Sequence, residues 1–312
     1  MGVESTTHVA DEAAPPSPGR AKGQASLLKG RRRLTQRLLA LPVIWLIIFF
    51  VVPVALVALY SVGLLNSFER NPGYTWQAWG DFFTGGIYMR LFWRSLRVAI
   101  IVSVVVVVLA YPIAYFLSMV AAKYKYALLI LMITPFLTNF FLRIMAWKVI
   151  LADQGLVNNF LFLTGLRAEG NPLDIAFGPI PVMIVLTYVW IPFVMLPIFA
   201  SLISVDRDLL EAANDLGASR WRAFWQVTFP LSLPGIGAAF FFVFIPTIGE
   251  FVVPLFMGGP KGYMFGSAIN DLFGISLNWR TGSVLSLWLV MVVFAFAYVF
   301  MKFVKLDRLA DV

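Results

Sequence analysis

Six stretches of this 312-residue chain are apolar for long enough to cross a bilayer: 38–63, 97–121, 126–151, 179–203, 234–257 and 281–304. A membrane-crossing helix needs about 20 mostly apolar residues. In hydrocarbon every backbone N–H and C=O must find its partner inside the protein, so only helices and closed barrels can span. Long unbroken apolar runs select helices, because barrel strands alternate apolar and polar. The expected fold is therefore all-α and integral to the membrane, with six transmembrane helices. Prolines fall inside the first and fifth spans, Pro53 in one and Pro246 with Pro254 in the other. Neighbouring helices can satisfy the carbonyls they free.

Charge gives the direction of the spans. Of the basic residues, Arg20, Lys22, Lys29, Arg31, Arg32, Arg33, Arg37, Lys123, Lys125, Arg207, Arg220, Arg222, Lys302, Lys305 and Arg308 fall on one side of such a bundle. Arg70, Arg90, Arg94, Arg97, Arg167, Lys261 and Arg280 fall on the other. Cytoplasmic loops carry the excess of Lys and Arg, which places both termini in the cytoplasm. The net charge of +8 is this asymmetry, not a nucleic-acid footprint. Arg90, Arg94 and Arg97 share a helix face by spacing and are expected to snorkel to headgroups. The aromatic-rich segment 64–96 suits the membrane interface. Residues 1–30, with Asp11-Glu12-Ala13-Ala14-Pro15-Pro16, show no apolar period and read as a disordered cytoplasmic tail before a membrane domain at 31–312.

Enzyme chemistry lacks material. The chain has no cysteine, and its single histidine, His8, lies in the tail. No carboxylates cluster at catalytic spacing.

The polar segment 204–233 between the fourth and fifth spans has an ordered pattern. Asp208 and Glu211 have capping-box spacing, Gly217 is placed to end a helix, and Ser219 can cap a second short helix with Trp221, Phe224, Trp225 and Val227 on its apolar face. Pro230 and Pro234 are expected to end that helix and start the next span. The result is two short helices on the cytoplasmic surface, open to a partner or simply lying in the interface.

Glu211-Ala-Ala-Asn-Asp-Leu-Gly217-Ala, followed by Pro230 and Pro234-Gly235, closely resembles the coupling loop of ABC-importer permeases. Tyr111-Pro-Ile-Ala-Tyr115, Leu142-Arg-Ile-Met-Ala-Trp147, Gly155-Leu-Val-Asn-Asn159 and Ile245-Pro-Thr-Ile-Gly-Glu250 extend the likeness along most of residues 38–304. Together they look like the spermidine/putrescine branch of the type I (MetI-like) importers, most like its putrescine permeases. The resemblance implies an inner-membrane subunit that pairs with a second homologous permease. Two cytoplasmic ATPase subunits would bind beneath, and a periplasmic binding protein would deliver a polyamine. Glu211, Ala212, Ala213, Gly217 and Arg220 would meet the ATPase. No G-x-x-x-x-G-K-[ST] occurs in the chain, so this chain itself holds no cofactor and ATP with magnesium would sit on the partner.

A polyamine pathway needs anionic acceptors and aromatic faces. Glu250 is the acidic residue well inside a predicted span, where ionisable groups are costly. It is read either as lining the passage or as a structural bond, for instance to Arg143. Trp190, Tyr188 and Asn139 join it as pathway candidates, with Trp147 and Tyr115 behind them; Asp271 and Asp153 in outer loops either greet a cation or solvate those loops. Two rival readings stay open: an importer for an anion or ferric iron, against which the buried carboxylate counts, and a secondary transporter that needs no ATPase.

Overall fold

The computed structural model describes residues 39–40, 42–65, 73–121, 123–168 and 171–303. The tail at 1–30 lies outside them. The helices are α1 Pro42–Ser61, α2 Gln77–Thr84, α3 Ile87–Val120, α4 Lys125–Leu137, α5 Phe140–Ile150, α6 Leu156–Leu163 and α7 Pro179–Ile203, then α8 Arg207–Asp215, α9 Arg220–Ile248, α10 Val252–Met257, α11 Phe265–Gly274 and α12 Trp279–Phe303. Among the described residues, α1, α3, α7, α9 and α12 are each long and apolar enough to cross a membrane, and α4 with α5 makes a sixth, bent span. Residues up to Leu56 form one compact unit and those from Val57 onward another.

Proline leaves its mark on two helices. Ile47–Val51 is a π turn in which the Val52 N–H donates to the Ile47 carbonyl, and Pro53 follows at once. A proline ring collides with the carbonyl four residues back, and a wider turn gives it room. The π turn Phe224–Thr228 likewise comes just before Pro230. Pro230 and Pro234 therefore do not end a helix, as the sequence suggested; α9 runs through both.

In the larger unit, α3, α7 and α9 pack most closely. On α3 the buried stripe Val98, Val102, Val106, Ala110 and Ala114 recurs every four residues, with Ile101, Val105 and Val108 on the outward side. On α9 the inward positions are Gly235, Ala239, Val243 and Thr247. Small residues let helix backbones approach where lipid supplies no hydrophobic drive. Gly235 is the tightest point, since a Cβ there would lie 2.3 Å from the Ser201 Cβ and 2.8 Å from the Pro197 carbonyl. The second core joins α2, α3, α9, α11 and α12 around Phe82, Phe92, Phe244, Phe265 and Leu285.

Three expectations need correction. The third span is not one helix: α4 and α5 meet at 80°. Pro135 sits in the tight turn Thr134–Leu137, Thr138 is extended, and the Asn139 side chain accepts the Phe141 N–H at 2.8 Å to start α5 afresh. The second span begins at Ile87, so Arg90, Arg94 and Arg97 lie within α3. Arg94 donates from Nη1 to the carbonyls of Lys261 and Tyr263, at 3.0 and 3.3 Å. Segment 64–96 is only partly interfacial in character: Trp76 and Trp93 are exposed, but Phe82 and Phe92 pack on Phe265 and Trp288.

Candidate functional site

The loop after α7 folds into a helix whose two ends are closed by its own sequence. Asp206, extended at ψ 130°, accepts the Asp208 N–H at 3.1 Å and opens α8. The sequence placed this cap at Asp208; that residue lies instead in the first turn, where its charge suits the helix dipole. At the other end Gly217 takes φ +83°, the Gly217 N–H reaches the Asn214 carbonyl, and the Ala218 N–H reaches that of Ala213. These paired bonds are a Schellman closure, which favours glycine because a Cβ disfavours positive φ.

α8 half-buries Leu210 and Ala213, while Glu211, Ala212 and Gly217 are exposed. Of the five residues singled out for the ATPase, Ala213 thus belongs to the inner face. Arg220 is exposed in the first turn of α9, where the Ser219 hydroxyl accepts the Arg222 N–H as expected. Leu216 is 89% exposed and Trp221 71%. The place of Leu216 just before the reversing glycine is the local sign that it turns outward.

Aromatic side chains tie this loop to α3. Phe224 lies 6.0 Å from Tyr111 and 5.5 Å from Tyr115, and Phe229 lies 5.9 Å from Tyr111, ring centre to centre. The Tyr111 hydroxyl is 3.0 Å from the Ser232 hydroxyl, which donates to the Phe229 carbonyl. Any force on the loop therefore reaches both membrane helices that meet it.

The four pathway candidates do not converge on one point. Tyr188 meets Trp147 edge-on and Phe136 at a tilt, and lines a cleft of about 350 Å³ between α3, α5 and α7. Trp190 stands two residues on, on another side of α7, against Phe193 and Phe242. Asn139 is spent on the α5 cap. The Glu250 carboxylate accepts the N–H groups of Val252 and Val253, at 2.7 and 3.3 Å, and so starts α10 after the break at Gly249. Arg143 does not pair with it; its guanidinium lies over the rings of Phe136 and Phe140. The break brings Gly266 of α11 so close that a Cβ there would lie 2.3 Å from the Gly249 carbonyl. Beyond it, the Tyr263 hydroxyl donates to Asp271 at 2.6 Å. Burial, and then the Asp271 carboxylate beside it, push that hydroxyl above the usual tyrosine range, so it stays a donor.

A bundle of membrane-length helices with a capped polar helix between two of them is a multi-pass membrane protein. Residues 107–305 match the family described as binding-protein-dependent transport system inner membrane component, and the chain belongs to that family. It is 34% identical over 266 residues to the spermidine/putrescine transport system permease protein PotB of Haemophilus influenzae, covering 84% of this chain and 91% of that one. To the protein of the same name in Escherichia coli it is 37% identical over 206 residues, 66% of this chain and 74% of the other. A crystal structure of a bacterial ABC transporter involved in import of the acidic polysaccharide alginate shares the fold, with a TM-score of 0.70 at 18% identity over 90% of this chain and 98% of its own.

Proposed function

We propose that this chain is the permease subunit of an ATP-driven importer that carries polyamines, putrescine or spermidine, across the inner membrane. The observation that carries the reading is the loop: a capped, glycine-closed helix with Glu211, Ala212 and Leu216 outward and an aromatic cluster behind it. A secondary transporter has no use for such a surface. The relatives named as spermidine/putrescine permeases support the cargo.

In this reading the chain pairs with a second homologous permease, and two ATPase subunits with ATP and magnesium take the exposed Glu211, Ala212, Gly217 and Arg220 as their contact, with Ala213 packed behind them. Both termini and the loop face the cytoplasm, in keeping with the basic residues at Lys123, Lys125, Arg220, Arg222 and Lys302. A periplasmic binding protein delivers substrate at the opposite end. Glu250, Tyr188, Trp190 and Asn139 are proposed to act along the passage. Of these Glu250 is testable at once, because Glu250→Gln keeps an oxygen for the Val252 and Val253 amides while removing the charge.

The test is uptake of labelled putrescine and spermidine by cells with and without the gene, before and after ATP depletion. Uptake that needs both gene and ATP is expected. An assembled complex that leaves uptake independent of the gene would overturn the cargo, and gene-dependent uptake indifferent to ATP would overturn the pump.

A further inference from the structure

At the end of the bundle away from α8, two clefts meet. The smaller, about 190 Å³, is lined by the polar groups of Tyr263, Ser267, Asn270 and Asp271. The larger, about 560 Å³, is walled mainly by apolar side chains, among them Ile269, Phe273, Leu289 and Val290. Phe251 and Asn270 line both, so the two clefts share a wall.

The polar end is short of donors. Oδ2 of Asp271 takes the Tyr263 hydroxyl at 2.6 Å, but Oδ1 is approached only by the amide of adjacent Asn270, at 3.4 Å. Among the described residues no Lys or Arg pairs with Asp271. The Arg94 guanidinium is turned to the carbonyls of Lys261 and Tyr263 and fixes the loop that brings Tyr263 in. Ser267, 6% exposed, has a buried hydroxyl with no hydrogen-bond partner. Unpaired buried oxygens are costly, and here three acceptors and a phenyl face surround one small volume. A divalent metal would require several oxygen ligands, and no group of three or more metal-ligating side chains occurs among the described residues. What fits a carboxylate, a hydroxyl and an amide oxygen at one end and an apolar trough at the other is a charged amine on a methylene chain.

We propose that this double cleft binds one end of an alkylammonium substrate. The ammonium group lies against Asp271, with Ser267 and Asn270 as further acceptors and Phe251 beside it, and the methylene chain extends along Ile269, Phe273 and Leu289. The site rests on the polyamine reading above and adds to it a place of recognition distinct from Glu250, whose carboxylate is turned to α10. It also gives Arg94 a positioning role, through the carbonyls it holds.

The experiment uses Asp271→Asn in the assembled complex. Asn keeps an oxygen for the Tyr263 hydroxyl, so the fold is retained while the charge goes. Binding of radiolabelled putrescine to the purified complex is measured by equilibrium dialysis, and uptake in cells in parallel. A lost charge-assisted contact corresponds to about 10-fold or more in affinity. The expected result is a binding constant weakened by at least that factor and a KM for uptake raised with it, at unchanged complex yield. Equal binding by both proteins overturns the site and leaves the importer standing. Binding lost in the variant, with no putrescine uptake by either protein, keeps the amine site and overturns the polyamine cargo. No putrescine binding by the unsubstituted complex overturns the site as well.

Discussion

Gly235 is where α9 presses on α7, and enlarging it has a calculable consequence. An added Cβ would lie 2.3 Å from the Ser201 Cβ, 2.8 Å from the Pro197 carbonyl and 2.9 Å from the Ser201 hydroxyl, where ordinary contact begins near 3.4 Å. The two helices must part by about 1 Å to relieve this, and overpacking of that kind costs about 1–3 kcal/mol. Alanine regains about 1 kcal/mol of helix propensity over glycine, so Gly235→Ala should be destabilising by about 0–2 kcal/mol. Gly235→Val forgoes most of that gain and forces two more methyl groups into the same gap; it should cost about 3 kcal/mol or more. The assay is thermal unfolding of the purified chain in detergent, followed by tryptophan fluorescence. Gly80 in α2 has nothing within 4 Å of a built Cβ, and Gly80→Ala should be neutral or stabilising. Ser201→Gly combined with Gly235→Ala should recover only part of the loss, because the Pro197 carbonyl is backbone and stays. A Gly235→Val protein as stable as the parent would refute the close approach.

The loop supplies the remaining predictions. Gly217→Ala, at φ +83°, should strain the end of α8 by about 1–2 kcal/mol and reduce co-purification with the ATPase, read by pull-down of the assembled complex. Asp206→Ala should lower stability by about 1 kcal/mol through loss of the cap and Asp208→Ala by clearly less; the reverse order in thermal unfolding would restore the cap to Asp208. Tyr111→Phe removes one hydrogen bond to Ser232, a loss of about 1 kcal/mol, and should lower ATP-coupled uptake more than it lowers the amount of folded protein in the membrane.

Local signals in the chain were enough for much of this. The six spans followed from apolar length alone, because the bilayer leaves the backbone no other partner than itself. Gly217 and Ser219 were legible as helix punctuation, since each acts on atoms within a few residues. Asp206 was missed because two acidic residues lie two apart, Asp206 and Asp208, and only the extended backbone at Asp206 separates cap from first turn. The break at Thr138-Asn139 hid inside an apolar run whose hydropathy does not register an 80° bend.

By itself, then, the sequence determined which segments are long and apolar enough to cross a membrane and where the helix between α7 and α9 is closed, since hydropathy and capping are short-range properties. What only the tertiary structure decided is which side chains share a space. Asp271, Tyr263, Ser267 and Phe251 converge because α9 stops at Ile248 and α11 folds back against the Gly249 carbonyl. Glu250, singled out from its position inside a span, also turns one carboxylate oxygen to the start of α10. Such convergence depends on the angle at one broken helix, and no window of sequence contains it.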